Sequence, residues 1–372
     1  MKKDFIFIKI KFIYRNIKIK FIKIFFRFLT LPYIDLIFLF TAKKILTRKK
    51  IKNKTGIGII GAGNYVASIH LPLLKKLNYP IYGITSKGLK SASILSNIYK
   101  VNLLKNFDDL LNNEKIDSYL IATPHNFHYE HLVKTINENK YIYLEKPLAI
   151  NLEHLKHIEE KMIYHPNAHK VMIGFNRRFA KAVQKLKKIE WIKNRKNPIE
   201  IQYRINFGKK TNKDMIDPIV DGGRLHGVVC HYVDLICYLV GQNIINVNSF
   251  SMSNKNFDTI NVLFQFEDFS LGTIIFSSEG DRYKGTKEEI KLTTGGHYAS
   301  INDFSKLVID NKKYFYFKNN FGSIFAMKEF LNSKKNNLPT PISLRDGLRA
   351  SKLTFAIQES ILSKKIINFK NF

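Results

Sequence analysis

The most constraining stretch of this chain is a short apolar run that ends in two glycines. Gly56-Ile57-Gly58-Ile59-Ile60 reads as a buried strand, and Gly61-Ala62-Gly63-Asn64-Tyr65-Val66-Ala67 follows it. Beyond the turn, Leu71, Leu74 and Leu77 recur at the spacing of one helix face. Strand, glycine turn and helix in that order open a dinucleotide-binding βαβ unit. Gly61 would permit the tight turn, and Gly63 would let the backbone approach a pyrophosphate. The helix N-terminus would supply N–H donors and the positive end of its dipole. The third position of G-x-G-x-x-G holds Val66, which should push the helix slightly off the strand. Two glycines alone describe many ordinary turns, so the strand and helix around them carry the argument.

The next strand is expected at Ile81–Thr85, followed by Ser86-Lys87-Gly88. A site specific for NAD usually places Asp or Glu after this strand to bind the ribose 2′-hydroxyl. No Asp or Glu occurs between Gly63 and Asp108. Ser86 and Lys87 could instead bind a 2′-phosphate, so the cofactor is read as NAD(P), leaning to NADP. The alternative is that Lys87 is a solvated loop charge.

A strand over Ser118–Ala122 ends in Thr123-Pro124-His125-Asn126-Phe127-His128. Ligands of open α/β sheets lie beyond the carboxyl ends of the strands, which puts this loop on the nicotinamide side. His125, His128 and His131 invite a metal, but no cysteine or matching carboxylate pattern joins them, and no metal is expected.

Strand Tyr141–Leu144 runs into Glu145-Lys146-Pro147. A Lys fixed past a strand end and before a stiffening proline can hydrogen-bond an oxygen being oxidised and stabilise alkoxide charge. Further on, Asp217-Pro218-Ile219-Val220-Asp221-Gly222-Gly223-Arg224-Leu225-His226-Gly227 leads into an apolar helix from Val228 to Leu239. His231 and Asp234 share one face of it. His231 can take a hydroxyl proton as hydride leaves, with Asp234 orienting it; the alternative is a hydrogen-bonded structural pair. Cys230 and Cys237, on the same helix, would lie about 10 Å apart along its axis. That is too far for a disulfide, so both are read as core thiols of a reducing compartment.

A chain of 372 residues suits two domains. The net charge is +31, of which residues 1–54 hold +14, with 16 Lys and Arg against 2 Asp and Glu. Lys, Ile, Asn, Phe and Tyr are abundant together, so part of the charge is a compositional drift. No zinc-finger spacing, RNA-binding aromatic motif or basic heptad supports nucleic acid as partner, and phosphates on a substrate account for the charge equally well. Met1–Lys50 alternates basic and apolar residues and lacks the form of a signal peptide. Its most apolar stretch, Leu29–Ala42, is broken by Pro32 and Asp35 and is shorter than the ~20 residues of a spanning helix. It reads either as a poorly ordered extension or as an interfacial anchor on anionic lipid.

Taken together, these motifs resemble the Gfo/Idh/MocA oxidoreductase family over about residues 55–368. The resemblance rests on Gly61–Tyr65, Ala122-Thr123-Pro124, Glu145-Lys146-Pro147 and Gly174-Phe175-Asn176-Arg177-Arg178-Phe179. It extends through the glycine-rich stretch into Cys230–Asp234 and through Pro341-Ile342-Ser343-Leu344. Asn64-Tyr65, Asn-Arg-Arg-Phe and Gly-Gly-Arg look most like a subgroup found beside surface-polysaccharide genes, some of it fused to a zinc alcohol dehydrogenase module absent here. The resemblance implies an α/β chain: an N-terminal Rossmann domain with a parallel sheet, then an α+β domain with an open, mostly antiparallel sheet. It implies that Lys146 binds the reacting hydroxyl, that His231 is the acid/base, and that Arg178 and Arg224 line the substrate site. Gly61, Gly63, Asn64, Tyr65, Ser86, Lys87, Thr123, Pro124, His125, His128 and Glu145 make up the expected cofactor contacts. Many members place Asp where this chain has Gly227, and the subgroup usually has Glu in place of Val228. The acidic helper of His231 would then be Asp221 or Asp234.

The expected organisation is an extension over 1–54, a dinucleotide domain over 55–150 and a substrate and oligomerisation domain over 151–372. Alternation marks strands at Glu200–Phe207, Thr259–Phe266, Leu271–Ser277 and Glu288–Thr294, whose exposed face would be a homo-oligomer surface. Phe321–Ser333 and Leu344–Leu362 read as amphipathic helices, the last packing back on the first domain. The function expected is a cytoplasmic NAD(P)-dependent oxidoreductase acting on a ring hydroxyl of a sugar, in particular a sugar nucleotide. The alternatives are a dehydrogenase of a free polyol such as inositol, and a non-catalytic cofactor-binding scaffold at the inner face of a membrane.

Overall fold

The computed structural model describes residues 55–209, 217, 219–253, 257–281, 283–316 and 321–372. The basic extension lies outside the described residues. The first sheet has six parallel strands: β1 (Gly56–Ile60), β2 (Ile81–Thr85), β3 (Asn102–Leu103), β4 (Ile116–Ile121), β5 (Tyr141–Leu144) and β6 (Val171–Ile173). Their spatial order is β3-β2-β1-β4-β5-β6, so the order reverses beside β1, where open α/β sheets bind ligands. The sheet runs past the expected boundary at 150, because β6 pairs with β5 through Ile142 and Val171.

The helices between these strands are α1 (Leu71–Lys76), α2 (Lys90–Tyr99), α3 (Phe107–Leu111), α4 (His128–Thr135) and α5 (Leu152–Glu160). A π-helical turn, Val66–His70, precedes α1. Val66 is buried there without exposure. The wider turn is how the chain seats a branched side chain at the third glycine position.

Two short helices, α6 (Lys181–Lys187) and α7 (Glu190–Lys193), lead to β7 (Glu200–Asn206) and, after a second π-helical turn at Leu225–Val229, to α8 (Cys230–Val240). The second sheet continues with β8 (Ile244–Ser251), β9 (Ile260–Phe266), β10 (Leu271–Ser277), β11 (Glu288–Thr294), β12 (His297–Asn302), β13 (Lys306–Ile309) and β14 (Lys312–Phe315). It is antiparallel except where β10 runs parallel to β7. Alternation along β9 and β10 sends Ile260, Val262, Phe264, Ile274 and Phe276 into the core. Leu263 and Leu271 stay 45% and 44% exposed on the opposite face, which leaves that side of the sheet open.

The chain closes with α9 (Ser323–Lys335), α10 (Leu344–Ser363) and the short β15 (Ile367–Asn368). Ser343 and Asp346 cap α10 reciprocally, each side chain accepting the other's backbone N–H at 3.2 and 2.9 Å. Leu344, Leu348 and Ala350 enter the first core, and Leu353, Ala356, Ile357 and Ile361 the second. The last helix thus staples the two cores together. Cys230 and Cys237 are buried and free, and burial pushes both thiols up to about 11.

Candidate active site

The glycine turn is shaped as the spacing suggested. Gly61 has φ +106°, and an added Cβ would collide with the Ala122 carbonyl. At Gly63 an added Cβ would meet nothing within 4 Å. The first glycine is therefore required by the close pass of the chain beyond β4, and the second leaves an open cradle beside exposed Asn64 and Tyr65. Open backbone at the start of a helical segment is the donor set a pyrophosphate needs. On the far side of the turn Lys87 is exposed, its ammonium 5.6 Å from the Phe127 ring centroid.

Beyond β4 and β5 several titratable groups meet. Lys146 follows β5 across a cis bond to Pro147, and its Nζ donates to the Gly227 carbonyl at 2.7 Å. Gly227 lies in the second π turn, four residues before His231. His231 packs edge-on against Phe175 at 5.9 Å. Burial pushes its imidazole well below the usual range, aided by Arg177, Lys146 and His125. It is held neutral, and its buried Nδ1 has no hydrogen-bond partner among the described residues.

Asp234 does not orient His231. It accepts from Arg178 Nε at 2.9 Å and from an Arg178 terminal nitrogen at 2.5 Å. The same guanidinium donates to Asp346 at 3.0 Å. Both partners of the pair are buried, so Arg178 is spent on joining α8 to the cap of α10 rather than on lining a substrate site. Arg224 is also buried. It donates to Ser278, lies 3.6 Å from Asp258, and covers the Phe207 ring at 5.2 Å. Where both arginines were expected to line the substrate site, the structure places them against carboxylates, Arg178 with Asp234 and Asp346 and Arg224 with Asp258.

Two expected cofactor contacts are also taken. His128 has no exposure, its Nδ1 lying 2.7 Å from the Pro147 carbonyl and its Nε2 3.0 Å from that of Thr123. It clamps the loop beyond β4 to the loop beyond β5. Glu145 is 7% exposed and accepts from His70 Nε2 at 2.8 Å. The Thr123 hydroxyl pairs with His131 at 3.2 Å. His125 faces the site: its Nδ1 donates to the Asp221 carbonyl at 2.9 Å. Among the described residues no group of three His, Cys, Asp or Glu could hold a metal.

Sequence reasoning missed two features. Arg177, not Arg178, acts on His231. It is held by Glu288 at 2.9 and 2.6 Å and covers Tyr232 at 5.0 Å. His70, the partner of Glu145, was also missed, although a histidine nine residues past the first glycine was visible.

Comparison with known proteins agrees with the fold. Residues 55–174 match the Gfo/Idh/MocA family model, described as an oxidoreductase family with an NAD-binding Rossmann fold. Myo-inositol 2-dehydrogenase of Thermotoga maritima is 24% identical over 84% of this chain and 98% of its own length. Glucose-6-phosphate 3-dehydrogenase of Bacillus subtilis is 25% identical over 55% of this chain and 59% of its own length. A crystal structure of a Thermotoga maritima oxidoreductase superposes over 86% of this chain and 99% of its own, with TM-score 0.74 at 19% identity. A levoglucosan dehydrogenase in complex with NADH and L-sorbose superposes over 85% and 99%, with TM-score 0.75 at 16% identity.

Proposed function

Because this chain belongs to the Gfo/Idh/MocA oxidoreductase family, we propose that it transfers a hydride between a nicotinamide cofactor and a ring hydroxyl of a sugar or cyclic polyol. One observation carries the proposal. Lys146, just past β5, donates to the Gly227 carbonyl one helical turn before His231, and His231 packs on Phe175 just past β6, so both groups lie beyond the first sheet's carboxyl edge. A nicotinamide, when bound, would supply the hydride acceptor or donor. Lys146 hydrogen-bonds the hydroxyl oxygen and stabilises charge on it as its proton leaves. Neutral His231 takes that proton in oxidation and returns it in reduction. Gly63, Asn64 and Tyr65 would hold the pyrophosphate.

For the cofactor we favour NADP. The stretch after β2 offers Ser86 and the exposed Lys87 and no carboxylate, which suits a 2′-phosphate. For the substrate we favour an uncharged ring. The buried arginines are neutralised by Asp234, Asp346 and Asp258, and one similar protein is a myo-inositol 2-dehydrogenase. The second reading, a sugar nucleotide of surface-polysaccharide synthesis, draws on the surplus charge of +31. The open face around Leu263 and Leu271 supports a homo-oligomer, and residues 1–50 a peripheral contact with anionic lipid.

The test is turnover with NAD⁺ and NADP⁺ of myo-inositol, glucose 6-phosphate and UDP-N-acetylglucosamine. Reduction of cofactor by at least one is expected. Cofactor binding without any turnover would favour the scaffold instead.

A further inference from the structure

The site holds a second imidazole, His125, which differs from His231 in having a carbonyl and a carboxylate of Asp221 beside its Nδ1. We propose that His125, backed by Asp221, is the group through which the reaction's proton leaves the site. The inference rests on the proposed hydride transfer at Lys146 and His231 and assigns a path that transfer needs.

Two hydrogen bonds fix the loop beyond β4 to the segment before the second π turn. Asn126 N–H donates to the Val220 carbonyl at 3.2 Å, and His125 Nδ1 donates to the Asp221 carbonyl at 2.9 Å. A carbonyl can only accept, so the proton of neutral His125 resides on Nδ1. That leaves the Nε2 lone pair with no hydrogen-bond partner among the described residues and able to accept. The Asp221 carboxylate approaches to 3.9 Å from Nδ1 and can compensate an imidazolium. His231 has no such support: its Nδ1 is unpartnered, and Arg177, Lys146 and His125 all act to keep it neutral.

Gly227 brings His125 and Lys146 together. Its carbonyl receives the Lys146 ammonium at 2.7 Å. A Cβ there would lie 2.5 Å from the Asp221 carbonyl and 3.1 Å from His125 Nδ1. The absence of a side chain at 227 is what admits the ring. Burial, then the Lys146 and His128 charges, push the His125 imidazole well below its usual range; the hydrogen bond to the Asp221 carbonyl opposes them, and among the described residues the Asp221 carboxylate is the one acidic group against the ring. Both His125 and Asp221 keep about a sixth of their side-chain surface exposed, at 18% and 16%, which opens a route to water. In oxidation the C–H bond gives its electron pair and hydrogen to the nicotinamide, and the O–H bond gives its proton to His231. Lys146 donates one proton to His125 Nε2 and regains one from His231. Both groups return to their starting state, and the proton leaves from His125.

The test uses the full-length protein with selectively ¹⁵N-labelled histidine, assigned by His125→Asn. The Nδ1–H tautomer is expected for His125, and Asp221→Asn should lower its titration midpoint. In parallel, His125→Asn, which keeps a donor to Asp221, should bind NADPH as wild type does. It should turn over the panel above about tenfold or more slowly, a modest share of what acid–base groups contribute. Added imidazole should restore rate to His125→Ala. An Nε2–H tautomer, indifference to Asp221→Asn, full turnover by His125→Asn, or loss of NADPH affinity without imidazole rescue would overturn the proposal. If wild type turns over nothing, the hydride-transfer reading fails first, and the tautomer and Asp221→Asn measurements still judge His125.

Discussion

The Lys146 ammonium donates a 2.7 Å hydrogen bond to the carbonyl of Gly227, so the loop beyond β5 and the π turn before α8 are joined at one point. That bond fixes where the ammonium sits before substrate arrives. Lys146→Ala should lower kcat/KM by about 10² or more, while NADPH affinity stays within about twofold. Steady-state kinetics and fluorescence titration check this together. Lys146→Arg should rescue little, since a planar fork does not reproduce a point charge.

The two glycines of the turn should fail differently. Gly61→Ala places a Cβ on the Ala122 carbonyl at φ +106° and should lower Tm by several degrees or prevent folding. Gly63→Ala meets no protein atom within 4 Å, so Tm should hold while cofactor affinity falls. Thermal melts with and without NADPH separate the two. Equal loss of stability would contradict the cradle.

Asp234 should matter for folding and not for chemistry. Its buried pair with Arg178 means that Asp234→Asn leaves that guanidinium only the Asp346 carboxylate, at a cost of at most about 3–5 kcal/mol. Arg178→Met combined with Asp234→Leu should cost less than either single change. Urea unfolding of the three variants gives the comparison. Activity lost without any stability lost would return Asp234 to the reaction.

Acid should loosen the joint between α10 and the site. His226 lies between Thr354 at 2.8 Å and Gln358 at 3.0 Å, and burial pushes its imidazole down to about 4. The unfolded chain therefore binds a proton at His226 below about 6.5 that the folded chain refuses. Stability from this group is complete above about 6.5 and falls as pH drops toward 4, by at most about 1.4 kcal/mol per pH unit. His226→Gln should flatten that part of a Tm-against-pH curve. An unchanged slope would contradict the assignment.

Much of the first sheet was legible, because β1, β2 and β5 are short apolar runs bounded by turn residues. In the second sheet, clean alternation marked β10 and β11 to the residue. The hairpin strands β13 and β14 are four residues each, too short to show a period. Of the candidate site, Lys146 and His231 were visible in the sequence and their partners were not. Arg177 and Arg178 are neighbours in sequence, and the 3₁₀ turn Asn176–Phe179 sends one to Glu288 and the other to Asp234. Nothing local distinguishes them. His70 and Glu145 are 75 residues apart, and only the folded chain shows that they meet.

Lys146 and His231 are proposed to serve one hydride transfer. Single-turnover formation of reduced nicotinamide, measured for wild type, Lys146→Ala and His231→Ala with cofactor saturating, tests it most directly. A fast phase is expected in wild type and its loss in both variants, with cofactor binding intact. A fast phase of unchanged rate in either variant would contradict it.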